Sequence, residues 1–176
     1  MSDDDIVTSI IHSLTEHAMG DIHRASGGGS KMGAFILCSC LIDAVAGFEK
    51  GCDTKGVDYI DFVKRRLQSY NPKQLYEDLR CKLVHGYSEG GSYLFTDARP
   101  DLHGGFQGAK TVINLENFIA DIQTALDSFA SEIASTASPL RGNAINRYKS
   151  NGIIEVAPIT VTVISMATTT APLSGA

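Results

Sequence analysis

Apolar residues recur along this chain mainly at the three- and four-residue spacing of amphipathic helices. Ile6, Ile10, Leu14 and Met19, with Ile11 beside them, predict a first helix reaching about residue 20. Ser2 to Asp5 stand at its start, where a hydroxyl can cap free N–H groups and carboxylates meet the positive helix end. Gly27-Gly28-Gly29-Ser30 breaks the pattern. From Lys31 to Phe48 the chain is apolar on most faces, which predicts the central, most buried helix. A loop from Gly51 to Gly56 leads to a third helix, Val57 to Ser69, carrying Ile60, Phe62, Val63 and Leu67. Asn71-Pro72 ends that run and starts the next, because proline suits a first helical turn.

A fourth helix is expected from Pro72 to His85, with Gly86 as a left-handed C-cap. Between Gly90 and Gly108 the chain is rich in glycine. There, Tyr93-Leu94-Phe95-Thr96 and Thr111-Val112-Ile113 are expected either to pair as a small β-hairpin or to remain loop. Phe118, Ile119, Ile122, Leu126 and Phe129 mark a fifth helix over Leu115 to Ala134. A shorter helix covers Leu140 to Lys149, with Asn151-Gly152 ending it. Ile153 to Ser165 is β-branched and reads as a strand or extended arm, and Ala167 to Ala176 as a loose tail. The expected fold is all-α: a bundle domain of four to six helices over residues 1–152, followed by an extended C-terminal segment over 153–176.

Composition narrows the function classes. The chain has 176 residues, 43% hydrophobic and 20% charged, with a net charge of −5. That excludes global disorder and a uniformly basic nucleic-acid coat. The longest apolar stretch, Ala34 to Ile42, falls short of the roughly 20 residues a spanning helix needs. No basic leader precedes it, so no membrane is expected and the cytoplasm is the expected location. Cys38, Cys40, Cys52 and Cys81 match no zinc spacing and read as buried free thiols in a reducing compartment. Positive charge gathers between residues 58 and 88, including Lys64-Arg65-Arg66, which is either a solvated helix face or a docking strip for a phosphate backbone.

The fourth helix carries the most chemistry. On a wheel of about 100° per residue with Leu75 at zero, Leu79, Leu83, Tyr76, Arg80 and Val84 all fall within one apolar arc. Asp78 and Lys82 fall on the polar side as surface charges. A guanidinium keeps its charge, so Arg80 must meet an acid, a carbonyl, a partner subunit or a bound anion. His85 lies about 140° further round, and on one straight helix the two side chains do not converge. They meet one ligand if the last turn loosens before Gly86, or if two copies of the helix face each other across a two-fold axis.

The stretch Leu75 to Tyr87, with Arg80-x4-His85 late in a helix of an all-helical chain, resembles the HEPN superfamily. A preceding apolar helix containing Asp43, the Pro72 helix start and the Leu-Val-His-Gly ending add to the resemblance. It implies a helical bundle, a homodimer, and a metal-independent endoribonuclease of the kind found among toxins and antiphage effectors, with no cofactor. Arg80 and His85 would then be catalytic: Arg80 stabilises charge on the phosphate, and His85 moves the proton as a ribose 2′-OH attacks its own phosphodiester. Lys82, Tyr87 and Tyr76 are the candidate substrate-binding residues. The implied partners are RNA or a nucleotide, and a protein such as an antitoxin. Catalytic members often carry a polar residue after the arginine; here it is Cys81.

Other readings compete. Arg80 could pair with Asp43 or Glu77 purely to fix helix packing, and His85 could simply favour the negative helix end. The same surface would then serve a non-catalytic dimeric module that binds a nucleotide or a protein. His12, Glu16, His17 and His23 offer a metal reading without a clear third ligand. Gly27-Gly28-Gly29-Ser30-Lys31 lacks the spacing and preceding strand of a phosphate loop and reads as a linker.

Overall fold

The computed structural model describes residues 1–88 and 90–153. Six helices and a three-stranded sheet make up most of that chain. Helix α1 (residues 3–27) opens with a capping box, in which the Ser2 hydroxyl accepts from the Asp5 N–H and the Asp5 carboxylate accepts from the Ser2 N–H. It continues past residue 20 because a π-helical stretch, Ser13–Ala18, joins two α-helical pieces. The Met19 N–H donates to the carbonyl of Leu14, five residues back. A π turn stacks residue i+5 over residue i, so Ile6, Ile10, Leu14, Met19 and Ile22 stay on one buried face.

Helix α2 (Lys31–Lys50) touches α1 and each of the helices that follow, through core residues including Phe35, Cys38, Leu41, Ile42 and Val45. It is the central helix, as the pattern predicts. With 20 residues and a mean hydropathy of 1.7 it is also long and apolar enough, by length and composition, to cross a membrane. A left-handed Gly51 (φ 86°) ends it. Helix α3 (Gly56–Arg66) stops short of the expected Ser69 because Leu67 leaves the helical region. Helix α4 (residues 72–86) starts on Pro72 with the Asn71 side chain accepting from the Gln74 N–H. Helix α5 (Leu115–Ala134) and helix α6 (Pro139–Asn151) complete the bundle.

Strands β1 (Tyr93–Thr96), β2 (Phe106–Gln107) and β3 (Lys110–Asn114) form a small sheet in the order β1-β3-β2. The two segments weighed as a hairpin do pair, but in parallel, Tyr93 opposite Thr111 and Thr96 opposite Asn114. The hairpin is β2–β3, closed through Gly108 at φ 63°. Strand β3 runs directly into α5, and buried Asn114 makes the junction by accepting from the Glu116 and Asn117 N–H groups. The sheet is pinned to the bundle through His103, whose Nδ1 accepts from the Asn114 N–H (3.1 Å) and whose Nε2 bonds the Tyr70 hydroxyl (3.1 Å), which in turn donates to Asp121 (2.6 Å).

The basic run on α3 is largely answered from within. Arg65 and Arg66 both pair with buried Glu49 of α2, and Arg66 also donates to Ser128 (3.0 Å) and Glu132 (2.8 Å) of α5. Two of the three cations thus hold helices together rather than forming an open docking strip. The thiols also depart from expectation: all four are free, but only Cys38 is buried, while Cys40 and Cys52 are exposed and Cys81 is half-buried. Cys38 and Cys40, two residues apart, point to different sides of α2. The extended segment expected from residue 153 lies, from 154 onward, outside the described residues.

Candidate functional site

Helix α4 does not keep the 100° per residue of an α-helix along its whole length. Its middle, Tyr76–Leu83, is π-helical, and the Val84 N–H donates to the carbonyl of Leu79. Five-residue stacking is the loosening that Arg80 and His85 require. The Arg80 Nη1 group donates to His85 Nε2. The other edge of the guanidinium is taken by Asp43 of α2, whose Oδ2 accepts from Nε (3.0 Å) and Nη2 (2.9 Å). Asp43 is the pairing weighed for packing. Glu77 instead faces Lys73 at 3.8 Å.

The altered winding also reverses the expectation for Asp78. It is buried, not a surface charge, and its carboxylate accepts from the N–H groups of Ser92 (2.7 Å) and Tyr93 (3.1 Å). A side chain at Gly90 would collide with that carboxylate. Asp78 therefore ties the return loop to the helix that carries the candidate site. The helix ends one residue later than expected: Tyr87, not Gly86, adopts the left-handed conformation (φ 44°), and its N–H donates to the Leu83 carbonyl.

Arg80 and His85 open onto a cleft of about 450 Å³, whose lining also includes Cys40, Asp43, Thr54 and Arg147. The side chains of Arg80 and Asp43 are each 26% exposed, and His85 is exposed, so the pair is neither sealed nor fully solvated. Thr54, in the loop after α2, donates to the Asp43 carbonyl (2.7 Å) and fixes the cleft floor.

The three candidate substrate-binding residues are placed apart from this lining. Tyr76 packs its ring on Tyr59, with centroids 5.6 Å apart, and fills the space left by the missing side chain of Gly56. Its hydroxyl bonds Cys81, which raises the tyrosine above its usual range. Lys82 is exposed, and Tyr87 is 71% exposed one residue beyond the helix end. Sequence reading missed Asp53, Thr54 and Arg147. Only Gly47, a glycine inside an apolar helix, hinted that something crosses there. Of the metal candidates, the His12 and His17 rings meet edge to face at 5.0 Å across the π turn of α1. Among the described residues no group of three or more His, Cys, Asp and Glu is placed to hold an ion.

Comparison with protein-family models, with curated proteins and with solved structures finds no match to this chain.

Proposed function

We propose that the protein is a HEPN-like, metal-independent endoribonuclease in which Arg80 and His85 act on one phosphodiester. The observation that carries this reading is their convergence: an arginine and a histidine five residues apart, brought into contact by a π turn at the rim of an open cleft. π-Helical turns concentrate at functional sites, and eight residues wound this way give up the better α-helical geometry for some return.

The chemistry follows from the hydrogen-bond roles. Neutral His85 Nε2 is an acceptor, and it becomes available once a phosphate draws Arg80 Nη1 toward itself. His85 then takes the proton of a ribose 2′-OH as that oxygen attacks the adjacent phosphorus. The bond to the 5′-oxygen breaks, and that oxygen leaves with the proton that His85 gives back, which returns the imidazole to its starting state. The ends are a 2′,3′-cyclic phosphate and a 5′-OH. Arg80 neutralises the charge building on the phosphate oxygens, while Asp43 keeps its guanidinium oriented. A second copy across a two-fold axis would add another Arg80–His85 pair, so a homodimer, working in the reducing cytoplasm, is part of this reading.

One observation favours the other reading, a non-catalytic nucleotide- or protein-binding module of the same HEPN-like kind. Asp43 already answers the charge of Arg80. The deciding experiment incubates the full chain with bulk RNA in the presence of a chelator, beside the R80A and H85A variants. Cleavage by the wild type alone supports the ribonuclease; cleavage that survives both substitutions removes it.

A further inference from the structure

The cleft has a second guanidinium that the chemistry above does not use. Arg147 reaches it from α6 by lying across α2 at Gly47. A Cβ at Gly47 would stand 3.0 Å from Arg147 Nε and 2.8 Å from Thr54 Oγ1, so the missing side chain is what lets the arginine pass. The Arg147 side chain is 18% exposed, and its Nε is buried without an acceptor among the described residues. Its Nη1 donates to Asp53 Oδ1 (2.6 Å), on a carboxylate that is 79% exposed. The Asn151 side chain also donates to that oxygen (3.0 Å). Exposed pairs of this kind are weak and yield to a competing anion.

We propose that Arg147 is a second phosphate-binding residue of this cleft, so that a single-stranded RNA is held through two neighbouring phosphates, one at Arg80 and His85 and the next at Arg147. Asp53 occupies the Arg147 fork in the free protein and is displaced by the strand. The proposal rests on the ribonuclease reading for the identity of the strand. The geometry behind it is independent: two arginines from different helices line one cleft, each with a single carboxylate as its ion partner among the described residues. The last described helix lies against the central one through buried Ala144 and Ile145, and that packing carries Arg147 to the cleft.

The test is equilibrium binding of a fully 2′-O-methylated RNA octamer, which has no free 2′-OH and is not cut. It is measured across about 50 to 200 mM salt for the full chain and for R147A, R147K and D53N, with thermal unfolding run in parallel. R147A is expected to weaken binding for every sequence and to reduce the slope of log affinity against log salt by about 0.7, one phosphate contact on a single strand. R147K is expected to keep the slope, and D53N to tighten binding by freeing the fork. Unchanged affinity and slope in R147A overturn the proposal. Should R147A unfold, D53N decides, since it removes only an exposed charge: affinity equal to or below wild type overturns the proposal. A wild type that cuts RNA while R147A binds as well as it does defeats this inference alone. A wild type that neither binds nor cuts defeats the ribonuclease reading as well.

Discussion

The Arg80 guanidinium donates to Nε2 of His85, five residues further along the same helix. In an α-helix such a pair points in different directions; here the π-helical stretch Tyr76–Leu83 stacks one above the other. Asp43 grips the far side of Arg80, leaving the edge shared with His85 facing the cleft. The contact therefore depends on backbone winding as much as on residue type. Substitutions at either position should leave the core intact. H85A, at an exposed site, is expected to change stability by less than about 0.5 kcal/mol. R80A leaves the partly buried Asp43 carboxylate without its partner, at a cost of about 1 kcal/mol. Chemical denaturation of both variants checks this, and a loss of several kcal/mol in H85A would contradict it.

Gly47→Ala tests how Arg147 and Thr54 are seated. The new methyl would stand 2.8 Å from Thr54 Oγ1 and 3.0 Å from Arg147 Nε, too close for either to stay. Overpacking of this kind costs about 1–3 kcal/mol. The midpoint of denaturation should fall accordingly, and a variant as stable as wild type would show that Arg147 and Thr54 are not tightly seated at Gly47.

Asp78 should matter for stability although it takes no part in the chemistry. Asp78→Ala removes the acceptor of two N–H groups, one of them on buried Tyr93, and is expected to cost about 1–3 kcal/mol for each left unpaired. Gly90→Ala should destabilise through the same contact, because its methyl would fall on the carboxylate. Hydrogen exchange at Ser92 and Tyr93 reads this directly: unchanged protection in D78A would count against the tie.

The charge cluster between α2, α3 and α5 predicts an acid response. The Arg66 guanidinium, donating to Glu132, holds that carboxyl below its ordinary value of 4.5. A group lowered in the folded chain stabilises above its unfolded value and loses that contribution as pH falls through the folded one. Glu132 is 43% exposed, so the effect is modest, at most about 1 kcal/mol. E132Q should be slightly less stable than wild type near neutrality and converge with it in acid, which melting curves over a pH series will show. Parallel curves would refute the assignment. Glu49 matters through packing: it is buried against two arginines, and E49Q should cost about 1–3 kcal/mol, since Arg66 keeps Glu132 and Arg65 reaches solvent.

Thiol reactivity separates the cysteines. Burial, helped by neighbouring Cys40, pushes the Cys38 thiol up to about 12, so it offers almost no thiolate near neutrality. Iodoacetamide applied to the folded protein should label exposed Cys52 and spare Cys38. Equal labelling of the two under native conditions would mean that α2 opens readily.

Much of the architecture was legible because helical spacing and capping residues are local signals. The α2 run, the Asn71-Pro72 start and the Leu115–Ala134 helix follow from them. The π turns were half-legible: Leu14 to Met19 is a step of five in an otherwise four-residue stripe, and so is Arg80 to His85. Reading such steps at a fixed 100° per residue put Asp78 on the wrong face and kept Arg80 and His85 apart. The parallel pairing of β1 with β3 was not legible, since the pattern of a short strand does not state its direction. Nor was Arg147, whose place in the cleft is set by a glycine a hundred residues away rather than by anything in its own helix.

A double-mutant cycle on RNA cleavage tests the central claim most directly. Single-turnover cleavage of one labelled oligoribonucleotide, with chelator present, is followed for wild type, R80A, H85A and R80A/H85A, and the product ends are identified. If the pair works as a unit, each single substitution abolishes cleavage as fully as both together, and wild-type products end in a 2′,3′-cyclic phosphate and a 5′-OH. Cleavage that persists in the double variant, or wild-type products with other ends, would contradict the account.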